Sequence, residues 1–485
     1  MAKTSPNIVI IHVDQWRADC LSIDGHAVVH TPTLDQLALQ GVRFSSAYAA
    51  CPTCVPARAS LMTGLTPVNH GRVGYCDGIA WEYETTLAGE FSQQGYRTHA
   101  VGKMHVYPER NPLGFQSVEL HDGFLHFARK RKDNPDLDDD YVVWLREQTG
   151  RQDADYFEHG VSCNSVVARP WPLEERLHPT NWVATRGIDF LSKHDSEDPF
   201  FLYLSFHRPH PPYDPPAWAF EQYLNMEMPD PPVGDWADLF LKEESSHNVD
   251  AFRARFRPDV MQRARAGYYG HMTHIDHQIN RIVESLNEYG FGQDTWIIFT
   301  SDHGEMMGDH HLFRKGFPYE GSARLPMILK APSARDFPRG QVCDTTLELR
   351  DIMPTLLDCA GLEIPENIDG KSFLAQAEQR SDAPLRAWIH GEHTMFDGSM
   401  QWLTDGREKY IWHSAGGEEQ LFDLKSDPNE LHDLAASDDP GSQKRLAYWR
   451  AAMVEELMGR EEGFVDDSGL LVAGRPVQPV LASLR

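Results

Sequence analysis

The chain has 485 residues, 41% of them apolar, which is enough for one large α/β domain with a smaller appendage or for several small domains. Its net charge of −27 argues against nucleic acid and against an anionic membrane as partners. Seven cysteines in so long a chain do not indicate a disulfide framework, and their odd number leaves at least one thiol unpaired.

The start of the sequence bears on where the protein works. The first apolar run, residues 8–11, is interrupted by His12 and Asp14 and is far shorter than the ~20 residues needed to cross a bilayer. The chain enters its first predicted strand by residue 7, which leaves no room for a signal peptide. As written, the sequence predicts a cytoplasmic protein without membrane partners, or a periplasmic one if a leader has been removed.

Strand and helix patterns alternate along the first two thirds of the chain. Residues 7–15 form a β-branched apolar run that is typical of a buried parallel strand. Residues 31–41 follow as a helix with Thr31 as N-cap, Pro32 in the first turn and Gly41 as its stop. Later strand patterns occupy residues 96–103, 200–207 and 295–304 and the run LPMILKAP. The alternation predicts an α/β fold with a mostly parallel sheet sandwiched by helices.

Two segments depart from this alternation. Residues 116–180 have no clear period and contain the acidic run DNPDLDDD, which predicts a loop-rich insertion over one sheet edge. Its tryptophans (Trp144, Trp171 and Trp182) could form a sugar platform, although tryptophans more often simply pack. After residue 370, runs such as AWIHGEH and EKYIWH indicate a small antiparallel sheet. We therefore predict a catalytic domain over residues 1–370 and a C-terminal α+β subdomain over residues 371–485.

Polar residues recur where the predicted parallel strands end. Ligands of an open parallel sheet bind at the carboxyl ends of its strands. A single aspartate there is commonly a helix cap, and a single histidine is usually a satisfied polar residue. The recurrence after successive strands instead predicts one ring of polar groups around one crevice. Its members are Asp14, Gln15, Lys103, His105, His207, His210, Asp302, His303 and Lys315.

The residue types in this ring predict metal-assisted attack on an anionic ester. Asp14, Gln15 and Asp302 offer hard oxygen ligands that suit Ca²⁺, Mg²⁺ or Mn²⁺. A basic pocket would also explain how so acidic a protein can hold an anion. The cations available to neutralise the anion and the histidines available to transfer protons are Arg58, Lys103, Lys315, His105 and His210.

The stretch CPTCVPARASLMTG, residues 51–64, has three ordinary explanations. Cys51 and Cys54 could form a redox pair or half of a zinc site. A zinc site needs a second ligand pair, but the other cysteines are scattered singly, which argues against zinc. A redox pair normally opens a helix after a strand, but Pro56 and Arg58 follow here, which argues against a dithiol. A buried structural cysteine is the third explanation, and the stretch alone does not exclude it.

Together with the other motifs of the chain, this stretch resembles the type I, formylglycine-dependent sulfatases of the alkaline phosphatase superfamily. CVPARASLMTG looks like their C-x-P-x-R signature. The other motifs occur in the expected order over nearly the whole chain: VDQWRAD, GKMH, RPHPP, TSDHGEMMGDH, FRKGFPYEGSARLP and LFDLKSDPNELHDLA. Many members have two aspartates where this chain has Asp14 and Gln15, and Asp-Asn where it has Asp302 and His303. Both variants resemble the branch that contains choline sulfatases and phosphonate monoester hydrolases.

The resemblance implies an alkaline-phosphatase-like fold and two cofactors. The first is formylglycine, made from Cys54 by a formylglycine-generating enzyme, whose hydrated aldehyde supplies the nucleophilic hydroxyl. The second is one divalent metal, with Ca²⁺ expected and Mn²⁺ or Mg²⁺ as alternatives; the histidine nitrogen makes Mn²⁺ more plausible than an all-oxygen site would. The implied metal ligands are Asp14, Gln15, the Cys54-derived oxygen, Asp302 and His303.

The resemblance also implies roles for the basic residues. Arg58 would steady the hydrate, and Lys103 and Lys315 would bind the sulfate oxygens. A proton would reach the leaving oxygen from His210 or Lys315, and His105 would take a proton from the second hydroxyl.

The predicted activity is hydrolysis of a sulfate monoester, with a small-molecule aryl sulfate or a sulfated saccharide as substrate. An enzymatic alternative is a phosphonate monoester or phosphodiester hydrolase that uses the same site. A non-enzymatic alternative is a protein that holds an anion without turnover, which requires Cys54 to stay unmodified. The sequence indicates neither the alcohol nor the oligomeric state.

Other histidines are given no role. His271, His274 and His277 lie three residues apart on the predicted long helix, a spacing that can build a metal face. No carboxylate motif accompanies them and the helix is expected on the outside, so a solvated face is predicted. His310 and His311 are assigned no function. His390, Glu392 and His393 could contact substrate or could be ordinary polar residues at strand ends, and the sequence supports the two explanations equally.

Overall fold

The computed structural model describes residues 5–123, 139–194, 197–240 and 248–484, and within those ranges the chain forms two β-sheets. The strands are β1 (Asn7–Asp14), β2 (Val42–Tyr48), β3 (Arg97–Gly102), β4 (Ser117–Leu120), β5 (Phe200–Pro209), β6 (Thr295–Ser301), β7 (Arg324–Lys330), β8 (Gln341–Cys343), β9 (Leu347–Glu348), β10 (Ile389–Met395), β11 (Gly398–Thr404), β12 (Glu408–His413) and β13 (Glu419–Asp423). The α-helices are α1 (Pro32–Leu39), α2 (Cys54–Thr63), α3 (Pro67–His70), α4 (Leu87–Gln93), α5 (Asp140–Thr149), α6 (Pro179–Lys193), α7 (Ala217–Leu224), α8 (Pro258–Glu288), α9 (Glu320–Ala323), α10 (Ile352–Ala360), α11 (Leu374–Ala377) and α12 (Pro440–Leu457).

The large sheet has nine strands in the order β4-β3-β5-β1-β6-β7-β2-β8, with β9 paired to β2. All of these pairings are parallel except those of β7, which runs antiparallel to both β6 and β2. The carboxyl ends of the central strands β5, β1 and β6 therefore lie side by side at one edge of the sheet. The predicted mostly parallel α/β sheet is confirmed.

Helices cover both faces of this sheet, which explains why its central strands are apolar throughout. Every residue of β1 is buried, and successive side chains alternate between faces. Val9, Ile11 and Val13 join a core with α1, α6, α7 and α8. Ile8 and Ile10 join a second core with α2, α4 and α10. Each fully buried aliphatic side chain contributes about 1.5–3 kcal/mol to folding.

The long helix predicted from its apolar stripe is α8, but the prediction of a solvated histidine face is wrong. His271 and His274 are fully buried, and only His277 of the three is exposed. The reason is that α8 contacts α1, α6, α7 and β5, so that most of its circumference is covered. A hydrophobic stripe shows which side of a helix faces the sheet, and it does not show that neighbouring helices cover the polar side.

Residues 116–180 contain more regular structure than a loop-rich insertion. They include the edge strand β4 and the helix α5, and residues 124–138, with most of the acidic run, lie outside the described residues. Trp171 and Trp182 are buried, and Trp144 packs against the same core. The tryptophans therefore pack in the interior.

The predicted C-terminal antiparallel sheet is confirmed as β10-β11-β12-β13. One face packs with α12, and the other packs against residues of the large domain such as Trp236 and Tyr319. The precise limits of the two domains stay a prediction. The last part of the chain returns to the large domain, where Val73 N–H donates to the Pro479 carbonyl (3.0 Å). Among the described residues, none of the helices has both the length and the apolar content to cross a membrane.

Candidate active site

The CPTCVPARASLMTG stretch forms the helix α2 together with the turn before it. Cys54 is the first residue of α2, and Thr53 before it is extended. Pro56 lies in the first turn, where its missing N–H leaves no helical hydrogen bond unmade. Cys54 and Arg58 are one turn apart and so lie on the same face. All ten residues of α2 are buried, and this face meets the strand ends, because Cys54 contacts Asp14 of β1 and Arg58 Nε donates to Asp302, which follows β6.

Adjacent strands bring the predicted carboxylates together. Asp14 ends β1 and Asp302 follows β6, and the two strands pair in parallel with Val13 opposite Ser301. The ligand atoms of Asp14, Cys54, Asp302 and His303, named here the Cys54 cluster, all lie within 4.8 Å of one another, and all four side chains are buried. Cys54 Sγ is 3.2 Å from His303 Nε2 and 3.7 Å from Asp14 Oδ1.

His303 has the tautomer that a metal ligand needs. Its Nδ1 lies 2.9 Å from the Gly304 carbonyl oxygen, which can only accept, so Nδ1 carries the proton. Nε2 then presents its lone pair to Asp14 Oδ1 (3.5 Å) and Asp302 Oδ1 (3.6 Å). Burial lowers the pKa of His303, which keeps the ring neutral. This donor set of carboxylates and one imidazole nitrogen fits a divalent cation.

The carboxylates of the cluster are held ionised by nearby cations. Burial alone would raise the pKa of Asp14, but the charges around it, of which the adjacent Lys103 ammonium is the strongest, together hold that pKa well below its usual range. Burial and Asp14 would raise the pKa of Asp302, yet the net shift is downward, and Arg58 is the cation that donates directly to this carboxylate (3.0 Å). Two neighbouring negative oxygens without protons are what a divalent cation requires.

Arg58 has one buried N–H group without an acceptor. Its Nε donates to Asp302 Oδ2 (3.0 Å), and its Nη1 donates to the Lys103 carbonyl (2.8 Å) and to Ser205 Oγ (3.0 Å). Among the described residues its buried Nη2 has no hydrogen-bond partner, and it lies 3.9 Å from Asp14 Oδ2. An unsatisfied buried donor costs about 1–3 kcal/mol. Cys54 lies one helical turn before Arg58 on the same face, so an oxygen-bearing group made from Cys54 fits a site that has a spare donor.

Gln15 lies at the site with its amide already engaged. Lys315 Nζ donates to Gln15 Oε1 (2.6 Å), and the Gln15 amide nitrogen donates to the buried carboxylate of Glu305. Its backbone N–H donates to Asp302 Oδ1 (3.1 Å). The role of Gln15 as a metal ligand stays a prediction.

His105 is held by two carboxylates. Its backbone is left-handed (φ 57°), and its N–H donates to Asp122 Oδ1 (2.9 Å). Its ring Nε2 lies 3.2 Å from Asp77 Oδ1, and Asp77 in turn accepts a hydrogen bond from Tyr75 Oη (2.7 Å). Burial alone would lower the pKa of His105, but hydrogen bonds to Asp77 and Cys54 outweigh it and the net shift is upward.

His210 differs from His105 in the direction of its pKa shift and in the ring nitrogen that carries the proton. Its Nδ1 donates to the Pro211 carbonyl (2.7 Å), which leaves Nε2 as an acceptor in the neutral ring. Burial, with the nearby Lys315 ammonium, holds the pKa of His210 well below its usual range. His210 is therefore neutral in this site and has no ring N–H left to donate into the cavity, whereas Lys315 Nζ is a hydrogen-bond donor.

A cavity of about 580 Å³ opens above the cluster. Cys54, Lys103, His105, His210 and Lys315 line it, so the structure brings these predicted catalytic residues together. His393 also lines the cavity, with Nε2 3.1 Å from Thr53 Oγ1, whereas Glu392 instead pairs with Arg460. Residues that line the cavity and had no signal in the sequence include Tyr75, Asn164, Phe252, Arg314 and Phe396.

A second buried group, the Asp214 cluster, has a similar composition. Its members are His159, His178, Arg208, Asp214 and His271, and the ligand atoms of His178, Asp214 and His271 lie within 4.8 Å of one another. Arg208 Nε donates to Asp214 Oδ1 (2.8 Å) and Arg208 Nη2 to Asp214 Oδ2 (2.9 Å). His271 Nε2 accepts the backbone N–H of Asp214 (2.9 Å). The Asp214 oxygens and His271 Nε2 therefore already have partners, whereas the buried His178 Nε2, 4.0 Å from Asp214 Oδ1, has no hydrogen-bond partner among the described residues.

The Cys51–Cys54 pair does not form a bond. None of the seven cysteines, all within the described ranges, is in a disulfide. Cys51 is buried and lies outside the Cys54 cluster, and burial raises the pKa of its thiol. Cys51 has the surroundings of an inert structural cysteine, in contrast to Cys54.

Comparison with known proteins bears on both the site and the fold. The family model described as Sulfatase matches residues 6–362, and one described as N-sulphoglucosamine sulphohydrolase, C-terminal, matches residues 308–454. An arylsulfatase of Clostridium perfringens is 47% identical over 97% of this chain and 98% of its own length. A choline-sulfatase of Rhizobium meliloti is 30% identical over 93% of this chain and 86% of its own length. The crystal structure of a phosphonate monoester hydrolase of Agrobacterium radiobacter has a TM-score of 0.76 and 26% identity, covering 92% of this chain and 96% of that one.

Proposed function

Because the chain belongs to the sulfatase family of the alkaline phosphatase superfamily and is a sulfuric ester hydrolase, we propose that it cleaves the sulfate monoester of an aryl or carbohydrate alcohol with a nucleophile made from Cys54. The observation that carries this proposal is the position of Cys54. Its sulfur lies against Asp14 and His303 at the floor of a cavity lined by two lysines. A buried structural cysteine would not need these neighbours.

Members of the family generally use formylglycine and a metal, and both fit this site. A hydrated formylglycine at position 54, introduced by a formylglycine-generating enzyme, supplies a hydroxyl nucleophile and a second hydroxyl that allows release of sulfate. A divalent metal supplies Lewis-acid polarisation of the sulfate oxygens. Its proposed ligands are Asp14, Gln15, the oxygen on residue 54, Asp302 and His303, with Ca²⁺ as the expected metal and Mn²⁺ or Mg²⁺ as alternatives.

The basic residues bind and orient the ester. Lys103 and Lys315 line the cavity and bind the sulfate oxygens, where charge is spread over the non-bridging atoms. The Nη2 group of Arg58, which has no acceptor among the described residues, holds an oxygen on residue 54 in position. Since Lys103, Arg58 and Asp14 are fully buried, these charges act with little solvent screening.

Two proton transfers follow from the states of the basic groups. Lys315 is the better donor to the leaving oxygen, because neutral His210 has only an acceptor nitrogen to offer. His210 Nε2 can accept a hydrogen bond only from a donor such as a hydroxyl of the alcohol, because the sulfate oxygens carry no hydrogen. His105, which touches residue 54 and is held by Asp77, takes a proton from the nucleophile side. General acid or base catalysis of this kind contributes typically ~10²–10⁴-fold each.

Mass spectrometry of the protein co-produced with a formylglycine-generating enzyme tests the proposal. The peptide that contains Cys54 should be about 18 Da lighter than its cysteine form, because CH₂SH becomes CHO. The lighter fraction should scale with turnover of an aryl sulfate across preparations. Full turnover by a sample whose Cys54 remains entirely a thiol would overturn it.

A second candidate is hydrolysis of phosphonate monoesters or phosphodiesters at the same site. His303 in the cluster and the similarity to the phosphonate monoester hydrolase favour it. Lys103 and His105 at the cavity floor favour sulfate, because they place a cation and a base at the ester oxygens. Comparison of kcat/KM for a phenyl sulfate, a phenyl phosphonate and a diphenyl phosphate decides between the two.

A further inference from the structure

The outer half of the cavity has features that sulfate binding does not explain. Tyr75, Phe252, Met395 and Phe396 make it aromatic and apolar, and Arg314 adds a positive charge. Phe396 is 64% exposed and Tyr75 is 39% exposed, so both present apolar surface to an incoming molecule. Among the described residues that line the cavity there is no aspartate or glutamate, although the chain as a whole carries a net charge of −27.

Arg314 forms no ion pair with a carboxylate in the described part of the chain, although Asp250 and Glu305 lie near enough to attract its charge. Its Nε donates to the Asn164 carbonyl oxygen (3.1 Å), and its Nη2 donates to the Asp250 carbonyl oxygen. Both acceptors are neutral. Burial lowers the pKa of Arg314, and the charges of Asp250 and Glu305 oppose that shift only in part. A partly buried guanidinium of this kind gains most from an anionic ligand.

The position of Arg314 is fixed by its surroundings. Its backbone is left-handed (φ 66°), its N–H donates to the Glu305 carboxylate, and its carbonyl accepts the Met306 N–H (2.8 Å). Its guanidinium lies 4.4 Å from the ring centroid of Phe252, and the ring of Phe252 meets that of Phe396 edge to face at 5.4 Å. The cation and the aromatic surface are thus held as one unit at the cavity wall.

We propose that this unit is a subsite for a second anionic group on the alcohol: the substrate is a sulfate ester of an aromatic or ring alcohol that also bears a carboxylate or a second sulfate. The ring lies against Phe252 and Phe396, and Arg314 binds the added anion. The proposal rests on the proposed function, in which the reacting sulfate occupies the floor between Lys103 and Lys315. It disfavours a cationic alcohol, because the described lining offers no carboxylate to pair with it.

The test compares leaving groups that differ in charge and little in shape. The substrates are 3-(sulfooxy)benzoate, 3-(sulfooxy)benzamide, 1,3-phenylene disulfate and 3-(sulfooxy)phenyl trimethylammonium. The native enzyme should prefer the benzoate over the benzamide by roughly tenfold or more in kcat/KM, as expected for a charge-assisted hydrogen bond. The trimethylammonium ester should be the poorest substrate. Whether the benzoate or the disulfate is faster distinguishes carboxylate from sulfate as the second anion.

Arg314→Gln should bring the benzoate-to-benzamide ratio to near one, while Arg314→Lys should keep part of the preference. Arg257→Gln, which alters an exposed arginine paired with Asp259, is the matched control and should leave the ratio unchanged. Binding of 3-hydroxybenzoate and 3-hydroxybenzamide to unmodified protein, measured by calorimetry alongside thermal melting, provides a readout independent of turnover. Here too the native protein should favour the acid and Arg314→Gln should not.

The outcomes separate this inference from the proposed function. Equal rates for benzoate and benzamide in the native enzyme, or a ratio that Arg314→Gln does not change, overturn the subsite and leave the sulfatase proposal intact. Turnover of phenyl phosphonate without turnover of any sulfate overturns both.

Discussion

The Cys54 cluster and the Asp214 cluster contain the same kinds of side chain, but only the first faces a cavity. In the Cys54 cluster, His303 Nε2 and the carboxylates of Asp14 and Asp302 converge on one point beneath open space. In the Asp214 cluster, Arg208 binds both oxygens of the carboxylate, and His271 Nε2 is taken by a backbone N–H. Access to the cavity, together with carboxylates whose two oxygens are not both bound by one arginine, distinguishes the Cys54 cluster from the Asp214 cluster more than the residues present do.

His159 adds a third hydrogen-bond donor to the Asp214 carboxylate, beside the two from Arg208. Its Nδ1 accepts the Val161 N–H (3.0 Å), so Nε2 carries the proton and donates it to Asp214 Oδ2 (2.8 Å). Arg208 and Asp214 lie within the segment that leads from β5 past His210. The cluster therefore anchors the loop that delivers His210 to the cavity, and it acts on the chemistry only through that position.

The largest contrast is expected between the two cysteines of the C-x-x-C pair. Cys54→Ala should reduce kcat/KM for an aryl sulfate on the order of 10³-fold or more, because the nucleophile is lost. Cys51→Ala should retain most of the activity, since Cys51 lies outside the cluster. Equal losses in the two variants would contradict the assignment and favour a dithiol.

Metal content should separate the two clusters directly. Asp302→Ala should lose both the metal and the activity, because a charged ligand is removed. Asp214→Asn should retain the metal but lose about 3–5 kcal/mol of stability, since Arg208 would then be buried without a counter-ion. Metal analysis and thermal melting of both variants provide the measurement. Loss of metal from Asp214→Asn would show that the Asp214 cluster binds it.

Lys103 should set the preference for sulfate. The native enzyme should have a higher kcat/KM for a phenyl sulfate than for the matching phosphonate or phosphodiester. Lys103→Ala should reduce the sulfate reaction most, by roughly 10²–10³-fold, because a buried cation is removed from the cavity floor. Lys425→Ala, which changes an exposed lysine, is the control. A native preference for the phosphonate or the diester would make the second candidate function correct.

Asp77 should act through His105 alone. Asp77→Asn should lower kcat about tenfold with little change in KM, because the ring of His105 loses its charged partner and no substrate contact is removed. Asp77 helps to raise the pKa of His105, and a base is inactive when protonated. The acid limb of the kcat profile should therefore move to lower pH in the variant. An unchanged limb, or the same loss in the exposed-site control Asp230→Asn, would contradict this role.

The smallest effect is a dependence of stability on pH. Burial lowers the pKa of His178, His271 and His274. A pKa lower in the folded than in the unfolded state makes a contribution that is present above pH ~6.5 and is lost as pH falls. Each such histidine should therefore steepen the loss of stability below pH 6.5 by up to about 1.4 kcal/mol per pH unit.

Thermal melting between pH 7.5 and 5 measures this slope. His274→Gln should reduce it by about one proton, because a neutral side chain replaces a histidine that is buried at this position. His277→Gln, at the exposed position of the same helix, should leave it unchanged. Equal slopes in all three proteins would show that the buried histidines do not resist protonation.

Local patterns were sufficient for most of the fold. The apolar run of β1 and the capped helix α1 were predicted within one or two residues, because strand burial and helix capping act over a few neighbours. The ring at the strand ends could also be predicted, since parallel neighbours bring their carboxyl ends to the same edge. The antiparallel direction of β7 could not be predicted, because a run of apolar residues does not indicate which way the strand runs relative to its neighbours.

The sequence by itself determined the chemistry: the order of its motifs and the i, i+4 spacing of Cys54 and Arg58 already indicate a sulfatase. Only the tertiary structure decided which polar groups find a hydrogen-bond or ion-pair partner and which do not. Asp77 contacts His105, Arg314 lies at the cavity wall without an ion pair to any described carboxylate, and His271 becomes buried against Asp214. The physical reason is that side chains on loops and helix faces contact residues distant in the chain. Whether a hydrogen bond or ion pair forms depends on those contacts, which local sequence patterns do not specify.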